Sequence, residues 1–85
     1  MFKKLFRNLK KYDYSLGTKC LGIYETEGWT ARFGDGIIKI GCQVHSPESW
    51  MSFSDSRIAS MSPNALAWWN TYKFKIFKAY FKAVG

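Results

Sequence analysis

Residues 2–11 place Phe2, Leu5, Phe6 and Leu9 at i, i+3, i+4 and i+7, with Lys3, Lys4, Arg7, Lys10 and Lys11 between them. That spacing predicts a short amphipathic helix over 2–11. The period then changes. After a loop, YDYSLG (12–17), closed by Gly17, the segment TKCLGIYE (18–25) reads as a strand. TEG (26–28) supplies a turn. WTARF (29–33) alternates strictly, with Trp29, Ala31 and Phe33 on one face and Thr30 and Arg32 on the other. GDG (34–36) predicts a tight hairpin, because Asp-Gly supplies the positive φ that such a turn needs. A third strand is expected from Ile37 to about Val44, which completes a three-stranded antiparallel meander.

Helical chemistry follows. Ser46-Pro47-Glu48 is a start signal: serine caps, proline suits the first helical position, and glutamate complements the helix dipole. SDSRIASM (54–61) offers a further short turn of helix, and Ser62-Pro63-Asn64 repeats the start signal. From Asn64 the chain has no glycine or proline until Gly85. On a helical wheel Ala65, Trp69, Tyr72, Ile76, Ala79, Tyr80 and Ala83 share one face. Thr71, Lys75, Lys78 and Lys82 share the other. Trp68, Phe77 and Val84 flank the apolar stripe, and Phe74 and Phe81 fall off it. YKFKIF (72–77) also alternates as a strand would, but length and the lack of a turn signal favour helix. The expected architecture is an α+β single domain over 1–85. In it, a three-stranded antiparallel meander (18–44) packs against an N-terminal helix (2–11) and C-terminal helices (47–84).

Composition changes this picture in two ways. A chain of 85 residues buries only about 60–65% of its unfolded surface, yet 19% of its residues are aromatic. Aromatic side chains bury about 150–250 Å² each, so there are more than one small core needs, and some are expected at a binding surface. The net charge of +7 is also unevenly laid out. Residues 1–19 hold Lys3, Lys4, Arg7, Lys10, Lys11 and Lys19 against Asp13, a balance of +5. Residues 20–60 hold three basic and five acidic residues, a balance of −2. Residues 61–85 hold Lys73, Lys75, Lys78 and Lys82 alone, a balance of +4. Basic ends around a mildly acidic middle suit nucleic acid, an anionic membrane or an acidic protein surface. There is neither a secretory signal pattern nor an apolar run near the roughly 18 residues of a membrane span, so the cytoplasm is the expected location.

Cys42 and His45, the only histidine, stand three positions apart and raise the question of a site. Structural zinc takes four Cys or His ligands, and only Cys20, Cys42 and His45 are on offer. A Cys–His nucleophile pair needs hydrogen-bond contact. In one continuous strand the two residues point to opposite faces: Cys42 goes with Ile38, Ile40 and Val44, and His45 with Lys39 and Gln43. Cys42 is then a small core residue, and His45 marks the junction of strand and helix. A Cys20–Cys42 disulfide would span two outer strands of a meander, about 9.6 Å at ~4.8 Å per strand, which is too far. Walker and Gly-x-Ser-x-Gly patterns are absent, so neither an enzyme nor a cofactor is expected.

The stretch DGIIKIGCQVHSPESW, with Gly41, Cys42, His45, Ser46 and Trp50, resembles a segment of small uncharacterised bacteriophage and prophage proteins. In these a strand ends in Gly-Cys, followed by two residues, His or an aromatic, Ser or Thr, and a short helix. The resemblance covers about residues 35–52. It implies a mobile-element origin and a strand–turn–helix module, and it transfers no catalytic residue.

Three functions fit. A small phage-encoded module that docks on a host protein and modulates it, anchored by Trp68, Trp69, Phe74 and Phe81, accounts for the surplus aromatics. Non-specific nucleic-acid binding would use Lys75, Lys78 and Lys82 with Lys3, Lys4, Arg7, Lys10 and Lys11, if the two basic helices lie side by side. Peripheral attachment to an anionic membrane would use the amphipathic helix 2–11. Protein binding is preferred, because arginine is scarce for base readout and no nucleic-acid motif appears.

Overall fold

The computed structural model describes residues 6–7 and 11–85. Among these residues seven short strands precede three helices. The strands are β1 (Phe6–Arg7), β2 (Lys11–Asp13), β3 (Thr18–Cys20), β4 (Gly22–Tyr24), β5 (Ala31–Gly34), β6 (Ile37–Ile40) and β7 (Gln43–His45). The helices are α1 (Pro47–Ser52), α2 (Asp55–Ala59) and α3 (Ala65–Val84). One antiparallel sheet runs β1-β4-β5-β6-β7, with β1 contributing two residues, and β2 and β3 form a separate two-stranded sheet. The protein is α+β, but not the expected single three-stranded meander with an N-terminal helix.

The N-terminal helix is the first correction. Phe6 and Arg7 pair with Tyr24 and Ile23, and Lys11 begins a strand whose first partner is Cys20. The remaining residues of the expected helix lie outside the described residues. A ten-residue helix is marginal by itself, and the open edge of β4 offers backbone hydrogen bonds that local periodicity does not register.

The strand expected over 18–25 is the second correction. It changes partner at Leu21. Before it, Thr18–Cys20 pair with β2; after it, Gly22–Tyr24 pair with β5. The Leu21 N–H donates to Phe33 O at 2.7 Å and carries the chain from one sheet to the other.

The third correction has the widest effect. The strand expected over 37–44 folds back at Gly41-Cys42 as a two-residue hairpin, with Ile40 opposite Gln43 and Ile38 opposite His45. Gly41 has φ +61°, the left-handed region that a tight hairpin uses. Side chains after the turn therefore swap faces. Gln43 and His45 join Ile38 and Ile40, and Val44 turns outward opposite Lys39. The hairpin expected at GDG forms, with Gly34 opposite Ile37 and Gly36 at φ +75°.

The helices begin where their caps stand. The Ser49 N–H donates to Ser46 Oγ and the Arg57 N–H to Ser54 Oγ, both at 3.1 Å. α3 is capped by Asn64 with no side-chain bond and runs unbroken through Tyr72–Phe77, which settles that ambiguous segment as helix. Its buried stripe meets Ala31, Phe33, Ile38 and Ile40 from the sheet, Trp50 from α1 and Ile58 from α2. Phe33 and Ile38 are directly opposed in register and wholly buried. On the other face of the sheet, Leu16, Cys20 and Ile23 pack with Ile37 beneath the β2–β3 hairpin.

The two hairpin glycines make separable predictions. A left-handed conformation costs a non-glycine residue about 1–2 kcal/mol. At Gly36 an added Cβ meets nothing within 4 Å, whereas at Gly41 it would lie 3.1 Å from Trp29 Cδ1. Gly41→Ala is expected to lower the urea midpoint further than Gly36→Ala. Equal losses would mean that Trp29 does not seat on the turn.

Candidate functional site

The residues singled out from sequence fall into three places. Trp69 is only 3% exposed and belongs to the core, where it packs against Trp50 and Phe77. Trp68 is half-buried. Its indole Nε1–H donates to Thr26 Oγ1 at 2.9 Å, and its ring meets Trp29 edge-on. Trp68 thereby clamps the β4–β5 connection onto α3. Both rings pack against other aromatic side chains of the protein.

Phe74 and Phe81 are different. They are 76% and 54% exposed, on the side of α3 that faces away from the core. Two turns separate them, about 10.5 Å along the axis. Lys75, Lys78 and Lys82 are exposed on the same outward side, and α3 carries no acidic residue. Lys73 Nζ stands 5.3 Å from the Phe74 ring centroid, a cation–π distance. The face combines two apolar anchors with a purely basic surround.

The other basic candidates do not extend this face into a second helical stripe. Lys3, Lys4 and Lys10 lie outside the described residues. Arg7 and Lys11 are strand residues, in β1 and β2. The paired basic helices of the nucleic-acid reading, and the amphipathic helix of the membrane reading, are thus not formed over Phe6–Arg7 or at Lys11. Among the described residues no helix is long and apolar enough to cross a membrane.

Cys42 and His45 are not brought together. Cys42 sits in the β6–β7 turn and is exposed, not a core residue, because the chain reverses one residue before it. Cys20 is the buried thiol, and both cysteines are free. His45 lies against the helix layer. Its Nε2 is 2.9 Å from Gln43 Oε1, and its ring meets Trp50 and Phe53 edge-on. Among the described residues no three His, Cys, Asp or Glu side chains converge as a metal would require.

The sequence reading missed what the hairpin gathers. Trp29, Gln43 and Trp50 line a cleft together with Cys42, Trp68 and Trp69. Gly41 was the available signal, since Gly-Cys between apolar strands is a possible two-residue turn. Comparison with protein-family models, with curated proteins and with solved structures finds no match for the chain.

The packing of His45 has a measurable consequence. Burial, and secondarily the Arg57 charge, hold its pKa below the ordinary value of 6.5. As pH falls below 6.5, the unfolded chain gains a proton that the folded chain refuses until its own lower pKa is reached. Stability from this group is therefore full above 6.5 and declines as pH falls from 6.5 to the lower folded value. The NMR titration of the lone histidine is expected to have its midpoint below 6.5 in the native protein and near 6.5 in urea. His45→Phe should flatten the dependence of the urea midpoint on pH in that window.

Proposed function

We propose that the protein is a small non-enzymatic binding module that docks on a protein partner through the outward face of α3. The observation that carries this reading is the exposure of Phe74 and Phe81 on a helix face whose only charges are lysines. Exposed phenylalanines are costly to leave in water, and anchors at i and i+7 are how an amphipathic helix engages an apolar groove. Lys75, Lys78 and Lys82 would meet acidic residues at the groove's rim and speed encounter. The β-sheet and Trp69 hold α3 rigid, so little ordering cost falls on binding. The resemblance of residues 35–52 to phage and prophage proteins points the same way: a phage-encoded modulator acting on a host protein in the host cytoplasm.

Retention of a stoichiometric partner from a host lysate should survive nuclease treatment. It should fall about 10-fold or more with Phe74→Ala/Phe81→Ala, since a central aromatic anchor is worth roughly 2 kcal/mol or more. Both side chains are exposed, so the double variant should unfold within about 1 kcal/mol of the parent. Lys75→Glu/Lys78→Glu/Lys82→Glu should weaken retention chiefly at low salt. Retention abolished by nuclease and by high salt would reassign the face to nucleic acid, and retention indifferent to both phenylalanines would overturn the reading.

A further inference from the structure

All four tryptophans of the chain line a single cleft of about 80 Å³. Trp29 comes from the β4–β5 connection, Trp50 from α1, and Trp68 and Trp69 from the first two turns of α3. Ile40, Ile58, Met61 and Ala65 complete the apolar lining, and Gly41, Cys42, Gln43 and Ser62 contribute the remaining wall. Among the described residues no charged side chain lines it. The volume lies between the about 10–15 Å³ that a cavity needs to hold one water and the about 150 Å³ of an engineered cavity that takes benzene. The space is therefore on the scale of one small ring rather than of a larger ligand.

The polar groups of the wall say what that ring should carry. The Trp50 indole N–H donates to Ile38 O and the Trp68 indole N–H to Thr26 Oγ1. The Trp69 indole has no acceptor among the described residues, although Trp69 is 97% buried, being only 3% exposed. Among the described residues no side-chain nitrogen or oxygen sealed from solvent lacks a partner. The Trp69 N–H is therefore not sealed from solvent, and Trp69 forms part of the cleft wall. Gln43 Oε1 is engaged by His45, which leaves the Gln43 amide as a second donor at the rim. A lone water is a poor occupant there, since ordered buried waters typically make about three hydrogen bonds.

The geometry points to a binding site for a small uncharged aromatic molecule, one ring in size, that carries a hydrogen-bond acceptor for Trp69. Charged ligands find no counter-charge in the lining. The indole faces supply offset and edge-on contacts for a neutral ring. The site is separate from the outward face of α3, because Phe74 and Phe81 do not line it.

Four indole N–H resonances report on this cleft directly. Pyridine at mildly alkaline pH, where it is neutral, is the probe. Its titration into the native protein is expected to shift the Trp69 indole resonance saturably and further than those of Trp50 and Trp68, whose N–H groups are already bonded. Benzene, which lacks the acceptor, should bind about fivefold more weakly, the worth of one net hydrogen bond. Ser62→Phe, at a half-exposed position of the wall, should abolish the shift without lowering the thermal midpoint. If that variant fails to fold, Cys42 supplies a second measurement. Under reductant, exchange with a phenyl disulfide and with cystamine should favour the phenyl adduct in the native chain, and the preference should vanish in denaturant. A linear, unsaturating pyridine response, or equal capture in native and denatured chain, would overturn the proposal. So would tighter binding of N-acetylphenylalaninamide than of pyridine, which would give the cleft to a partner's side chain.

Discussion

The indole of Trp50 joins the two layers of this protein. Its N–H donates to Ile38 O at 2.9 Å, in the middle of the sheet, while its ring lies against Trp69 of α3. It also meets His45 from β7 and Phe53 just beyond α1 edge-on. A buried carbonyl left without a donor costs about 1–3 kcal/mol, and each aromatic pair adds roughly 0.5–1.5 kcal/mol beyond its buried area. One side chain therefore couples β6, β7, α1 and α3. In a domain this small, where total stability is of the order of 5–10 kcal/mol, that coupling is a large fraction of what keeps helices on the sheet.

Trp50 can do this only because the chain reverses at Gly41-Cys42. A two-residue hairpin changes which residues look inward, and His45 passes from the expected outer face to the inner one, where it packs on Trp50. The same turn exposes Cys42 and seats Trp29 over Gly41. The Cys-x-x-His spacing is thus a consequence of a turn followed by a helix cap, with Ser46 closing the first turn of α1. Gly41 and Trp50 act at opposite ends of one short segment, and the cleft lies between what they position.

α3 divides the aromatic surplus between two destinations. Trp69, Ile76, Phe77 and Tyr80 face inward and are buried, and Tyr80 meets Phe33 edge-on across the layers. Burial holds the Tyr80 hydroxyl above its ordinary pKa, with Glu48 and Asp35 adding to the shift, so it stays neutral. Phe74 and Phe81 face outward among lysines. The core is packed without them.

Hydrophobic periodicity by itself determined much of the C-terminal half. The buried stripe of α3, the Ser46 cap and the Asp-Gly hairpin are local: each depends on residues within one or two turns of one another, so their chemistry is written in consecutive positions. The exposed placement of Phe74 and Phe81 was legible for the same reason, since both fall off the helical stripe. Only tertiary structure decided the N-terminal segment and the sheet. Phe6–Arg7 become strand because the edge of β4 accepts them, and Leu21 changes sheets because Phe33 O is within reach. The face of His45 depends on whether Gly41 bulges or turns, a choice made by the pairing of Ile40 with Gln43 and the packing of Trp29. Those are contacts between distant residues, and a one-residue change of register reverses every side chain beyond it.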